Sequence, residues 1–331
     1  MKARHATIPA LLLCALTLGA ASHDTGDLGS LKGDVRIDGS STVYPITEAV
    51  TEDFSQAAKG VRATVGVSGT GGGFKRFCKG EIDISDASRP ISRSELETCK
   101  AGGLEFIELP IAYDALTVSV NRRNDWVKSL TLDQLKRIFG ATGTARTWKD
   151  LDPAWPDRTI KVYSPGTDSG TFDYFKEVTV GKDGKMRADM SVSEDDNVLV
   201  NGVAGDQDAI GFFGFAYYTE NREKIHPVAI DGGKGPVMPT ESTILDGTYD
   251  PMSRPLFIYV NRKSADRAEV QAYVGFYLAN AAKLARSVGY TALPEAIQAK
   301  AAANWKSRRT GTQFLDASGE KVTGTLTSVY K

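Results

Sequence analysis

Histidine and cysteine are nearly missing from this chain, with three of each in 331 residues. Outside the first segment only His23, His226, Cys78 and Cys99 remain. They are too few and too scattered for a zinc cluster or a histidine-dependent catalytic centre. An excess of positive charge is missing too: 40 Lys and Arg face 41 Asp and Glu, with no long basic block, which excludes a nucleic-acid footprint as the main partner logic. No stretch beyond residue 22 approaches the length needed to span a membrane. The glycine run Gly69 to Gly73 lacks the Gly-Lys-[Ser/Thr] end of a nucleotide-binding loop, no GxSxG elbow occurs, and no dinucleotide fingerprint is satisfied. Two Asp-[Ser/Thr]-Gly triplets, at Asp24 and Asp168, suggest an aspartic-protease dyad, but no apolar strand leads into Asp24.

What is present is ordinary globular material, 41% hydrophobic and 24% charged, long enough for two compact units. Residues 1–22 read as a cleaved secretory signal: Lys2 and Arg4, then an apolar run from Ile8 to Ala20, then Ala20-Ala21-Ser22. No small residue stands just before Cys14, which disfavours a lipid anchor and leaves a soluble periplasmic protein as the expectation. Removing the signal takes the basic count from 40 to 38 against 41 acidic residues, a net charge of −3. Cys78 and Cys99 would then be an even pair. In an oxidising compartment they either form a disulfide, contributing about 3 kcal/mol in the chain-entropy model, or stay as two buried thiols.

The same grammar recurs four times: a short β-branched strand, a Ser/Thr/Gly loop, then usually an amphipathic helix. The loops are Asp38 to Thr42, Ser68 to Gly73, Ser85 to Pro90 and Ser164 to Thr171; Ser92 with Glu95 predicts a capping box after the third. This is the pattern of an α/β fold. Two longer apolar strands, Ala112 to Val120 and Pro255 to Val260, each end in Asn-Arg and read as a matched pair of crossings between domains. A long helix is expected from Ser264, with Val270, Tyr273, Val274, Tyr277, Leu278, Ala281 and Leu284 on one side and Gly289 as its stop. The expected division is 23–114 with 257–331 as a discontinuous first domain and 115–256 as the second.

A helix N-terminus offers unpaired N–H groups and partial positive charge, so hydroxyl-rich loops at such ends can hold an anion without a basic cluster. Ser41-Thr42, Thr70-Gly71 and Ser169-Gly170-Thr171 supply three such ends, and Arg89 supplies a cation from a fourth loop. Each loop alone is compatible with ordinary capping. Together, with glycines that let a ligand approach the backbone, they favour an oxyanion cage. Hydrogen bonds to a charged group are worth about 1.5 to 3 kcal/mol each, enough in sum for micromolar or tighter binding.

Asp38-Gly39-Ser40-Ser41-Thr42-Val43-Tyr44-Pro45, Ser68-Gly69-Thr70-Gly71-Gly72-Gly73-Phe74, Asp86-Ala87-Ser88-Arg89-Pro90-Ile91 and Pro165-Gly166-Thr167-Asp168-Ser169-Gly170-Thr171-Phe172 resemble the phosphate-binding proteins of bacterial high-affinity phosphate ABC transporters. Ile138-Phe139-Gly140, Trp148-Lys149-Asp150-Leu151 and Gly211-Phe212-Phe213-Gly214 extend the resemblance over nearly the whole chain. It implies a two-domain type II periplasmic binding-protein fold with a double-strand hinge and an interdomain cleft. It also implies a non-enzymatic, cofactor-free, monomeric carrier that takes inorganic phosphate to a membrane permease. The implied ligands are Ser41, Thr42, Val43, Thr70, Ser88, Arg89, Ser169, Gly170 and Thr171. The best-known members place an Asp where this chain has Ser88 and an Arg where it has Pro165, so Arg89 is expected to supply the cation and Asp86 or Asp168 to accept the phosphate proton. A carrier of another tetrahedral oxyanion such as sulfate, and a secreted phosphate-ester hydrolase, are the competing expectations.

Overall fold

The computed structural model describes residues 28–331 other than 168, 182, 194 and 323, so the expected signal segment and Asp168 lie outside the described residues. The chain opens with β1 (Gly33–Gly39), α1 (Tyr44–Ala57), β2 (Val61–Val67), α2 (Gly69–Phe77), β3 (Ile84–Ala87) and α3 (Arg93–Ala101). The long strand β4 (Phe106–Asn121) leads to β5 (Ser129–Thr131), α4 (Leu132–Phe139), β6 (Lys161–Pro165), α5 (Gly170–Val180), β7 (Ser191–Ser193), α6 (Asp196–Gly205) and β8 (Ala209–Gly214). Then come α7 (Phe215–Glu220), β9 (Ile225–Pro227), β10 (Ala229–Asp231), β11 (Pro236–Val237), α8 (Glu241–Leu245) and β12 (Ser253–Asn261). The chain closes with α9 (Ala268–Ser287), β13 (Thr291–Ala292), α10 (Glu295–Ser307) and α11 (Leu326–Val329).

The main sheet has the order β2-β1-β3-β12-β4-β8-β6-β7, with β9 and β13 also pairing β4, and β11-β10-β5 form a small separate sheet. β1, β2 and β3 are parallel, as are β6, β7 and β8, the arrangement expected where helices cross between strands. β4 joins the two halves: its residues 106–115 pair with β12 and its residues 116–120 with β8. All of its residues are buried, so it is mostly apolar, but it also carries Glu108 and Asp114. The two expected crossings are therefore β4 and β12, each longer than the apolar core that marks it in the sequence. The α/β class and the two-domain architecture follow from this topology.

Packing fixes the helices that carry the loops. Phe74 of α2 meets Tyr259 of β12 edge-on at 4.8 Å, and Phe106 meets the same tyrosine at 5.5 Å. In the other half Phe175 of α5 stacks on Phe212 of β8 at 3.7 Å, with Phe139 edge-on to both. Burying one such ring is worth about 1.5 to 3 kcal/mol, so each helix head is held by its own aromatic anchor. α9 buries Val270, Tyr273, Val274, Tyr277, Ala281 and Leu284, with Leu278 partly buried, and Gly289 follows it with φ of 88°. Cys78 and Cys99 are disulfide-bonded and tie the end of α2 to α3.

One boundary differs from expectation in a way that matters. The loop expected from Ser85 to Pro90 begins as strand, since β3 runs Ile84–Ala87, so Asp86 lies inside a strand, between Gly39 of β1 and Ile258 of β12. Pairing on both sides holds this segment extended although Ser and Asp are weak strand formers.

Candidate phosphate site

The heads of α1 and α2 line one cleft together with the side of α5 at Asp173, Tyr174 and Glu177, whereas Ser169, Gly170 and Thr171 are not among its lining residues. Its volume is about 1180 Å³, and its lining includes Ser40, Ser41, Thr42, Gly69 to Gly72, Ser88, Arg89, Tyr174 and Arg254. In the first loop Ser40 Oγ accepts from the Thr42 and Val43 amides at 3.2 and 3.4 Å, so Ser40 organises the turn and the Ser41 and Thr42 side chains are not used as the helix cap. Ser68, the residue before α2, likewise makes no side-chain cap. Thr70 Oγ1 instead lies 3.1 Å from Ser88 Oγ and accepts from the Ser88 amide at 3.2 Å, joining the second loop to the fourth. Ser169 does cap its helix, accepting from the Thr171 amide at 3.2 Å. For that one residue the plain capping reading describes the geometry.

Gly170 brings the third loop against the first. A Cβ there would sit 2.9 Å from both Cα and Oγ1 of Thr42, closer than any real side chain packs, so a side chain would force the two helix heads apart. Gly73 has a similar task in α2: a Cβ would meet Gly39 Cα at 2.7 Å and Ser85 Oγ at 2.8 Å. The helix can thus lie directly on β1 and bring Thr70 to Ser88.

Arg254 is one of five cationic residues lining the cleft, with Arg89, Lys176, Lys234 and Lys321. Its Nη2 donates to Thr42 Oγ1 at 3.0 Å, it lies 3.3 Å from Asp114 Oδ2, and its guanidinium carbon sits 3.7 Å from the centre of the Tyr174 ring. The Arg254 side chain is 16% exposed and that of Asp114 3%. Burial pushes the Asp114 carboxyl up, and the Arg254 guanidinium pulls it part of the way back.

Two residues expected at the anion make other contacts in this structure. Arg89 lines the rim, but its guanidinium donates to both oxygens of Glu95 at 2.9 and 2.8 Å and to the Pro90 carbonyl at 3.1 Å. Glu95 in turn completes the predicted capping box with Ser92, so Arg89 braces the start of α3. Asp86 is 1% exposed and lies away from the cleft lining. Desolvation pushes its carboxyl up to about 8, with the Thr47 hydroxyl opposing and Asp38 reinforcing the shift. It is a buried carboxyl on β3 that does not line the cleft. Among the described residues no His, Cys, Asp and Glu cluster could hold a metal ion.

Comparison with known proteins shows the family. Residues 21–281 match the model of the PBP superfamily domain. The protein SphX of Synechococcus elongatus is 47% identical over 312 residues, 93% of this chain and 92% of that one. The phosphate-binding protein PstS of Staphylococcus saprophyticus is 41% identical, covering 85% of this chain and 87% of its own. A solved structure described as a possible phosphate binding protein from Planctomyces limnophilus has a TM-score of 0.82 at 40% identity, covering 85% of this chain and all of that one. The chain belongs to the phosphate-binding proteins of the periplasmic binding-protein superfamily.

This family consists of substrate-binding proteins of transporters and not of enzymes. Within that frame the structure brings Ser41, Thr42, Thr70 and Ser88 to one cleft and sets Gly170 against Thr42. Val43 is buried at the head of α1, so its amide and not its side chain faces the turn. Arg254, Asp114 and Tyr174 escaped the sequence reading. A signal for Arg254 was there: Ser253-Arg254-Pro255 repeats the tripeptide Ser88-Arg89-Pro90 at the edge of the second crossing.

Proposed function

We propose that the protein captures inorganic phosphate in this cleft, outside the cytoplasm, and delivers it to the membrane permease of an ABC transporter. The observation that carries the reading is the mostly buried Arg254 guanidinium bonded to Thr42, in a cleft lined by the heads of α1 and α2 and by Ser88. In this reading the hydroxyls of Ser41, Thr42, Thr70 and Ser88 and the Gly170 amide meet the anion, while the Thr42 and Val43 amides stay on Ser40 Oγ and the Thr171 amide on Ser169 Oγ. Helix ends and one cation then hold a doubly charged ligand on a chain whose own net charge is −1. The relatives named above as phosphate-binding support the choice of ligand. We assign residues 28–114 and 257–331 to one lobe and 115–256 to the other, closing as a monomer about β4 and β12. Export by the residue 1–22 leader belongs to the same proposal. Among the described residues no helix is long and apolar enough to cross a membrane.

Titration calorimetry of phosphate-stripped protein against phosphate and sulfate tests the reading. Phosphate binding at micromolar or tighter affinity with much weaker sulfate binding is expected; sulfate binding without phosphate binding overturns it.

A further inference from the structure

Arg254 and Asp114 are direct cross-strand partners on β12 and β4, the two strands that join the halves of the molecule. The Nε and Nη2 edge of the guanidinium lies on Asp114 Oδ2 at 3.3 Å. Its face lies 3.7 Å from the centre of the Tyr174 ring on α5, and its Nη2 also reaches Thr42 beside α1 at 3.0 Å. Tyr174 is itself held by donation of its hydroxyl to the Pro251 carbonyl at 2.6 Å, just ahead of β12. One side chain rooted in the connecting strands therefore touches a helix head from each half.

A guanidinium is a planar fork, and its use depends on how its plane is set. Here one edge is fixed by a buried carboxylate and one face by an aromatic ring. A carboxylate that is 3% exposed cannot turn away into water, and a cation over a ring face is attracted by the ring quadrupole. We propose that Asp114 and Tyr174 are positioning residues that make Arg254 the link between anion capture and closure of the cleft. An anion held by Arg254 then joins the α1 and α5 heads through a group anchored in the strands about which they move. The proposal rests on the phosphate reading above.

Its test compares wild type, Asp114→Asn, Arg254→Ala, the double variant, Tyr174→Leu and Tyr174→Phe. Phosphate affinity is measured by calorimetry, and compaction at saturating phosphate by small-angle scattering. Asp114→Asn should weaken phosphate binding about tenfold, the size of one hydrogen bond to a charged group. The same change in the Arg254→Ala background should do nothing further, because the carboxylate acts only through the arginine. Tyr174→Leu should reduce phosphate-driven compaction by more than half, while Tyr174→Phe, which keeps the ring and loses only the hydroxyl bond to Pro251, should retain most of it. Unchanged affinity in Asp114→Asn, additive losses in the double variant, or full compaction in Tyr174→Leu would each overturn the positioning role. Absence of phosphate binding by the wild type would instead overturn the reading beneath it.

Discussion

The tripeptide Ser-Arg-Pro stands on both sides of the cleft, at residues 88–90 leaving β3 and at residues 253–255 entering β12. In both places proline biases the preceding arginine toward extended backbone, yet the two side chains do different work. Arg89 is 45% exposed and forked onto Glu95, a pair that contributes structure at the start of α3. Arg254 is 16% exposed, balanced by a buried aspartate, and bonded to a threonine hydroxyl at the head of α1. Charge is worth more where water is excluded and little where it is screened. The neighbours and not the motif separate the two arginines, and on them rests our assignment of Arg254 to the anion.

Substitutions should separate the two corners, with binding effects around Arg254 and stability effects around Arg89. Arg254→Ala should raise the phosphate Kd about 100-fold, the loss of roughly two hydrogen bonds to a charged group, measured by calorimetry. Replacing both Cys78 and Cys99 by Ser should lower stability by about 3 kcal/mol in urea unfolding, through an unfolded chain freed of its cross-link. Asp86, whose carboxyl is pushed up to about 8, and Glu108, pushed up to about 7, keep protons in the folded protein that the unfolded chain has released. Stability should therefore fall as pH rises from about 4 toward about 8. Asp86→Asn should flatten that fall and gain of the order of 2 kcal/mol at pH 8, read from Tm across the pH range. Thr70→Val should weaken phosphate binding by at least about 1 kcal/mol if its hydroxyl reaches the anion. Arg89→Ala should change the Kd less than about threefold and cost at most about 1 kcal/mol of stability, as for other exposed ion pairs.

Much of the fold is legible in the residues because local rules agree. The Ser92 and Glu95 box forms as written, the parallel strands follow the strand-loop-helix repeats, and β4 and β12 sit where the two long apolar runs lie. The loops of the site were legible for the same reason, since Ser, Thr and Gly at helix heads have a chemistry of their own. The parts that were not legible depend on pairings distant in sequence. Thr42 and Arg254 are 212 residues apart along the chain, and Asp114 and Arg254 meet only because β4 and β12 pair in that register. Asp86 was misplaced because its position is set by β1 and β12 on either side of β3, which nothing in residues 82–88 reveals. Arg89 looked free because its partner Glu95 is also the expected N3 residue of a capping box. One carboxylate serves both the cap and the salt bridge.

The most direct test of the account is phosphate calorimetry on Arg89→Ala and Arg254→Ala side by side, with urea unfolding to confirm that both are folded. The account predicts a Kd within about threefold of wild type for Arg89→Ala and about 100-fold weaker for Arg254→Ala. The reverse order, with Arg89 carrying the affinity and Arg254 dispensable, would contradict it.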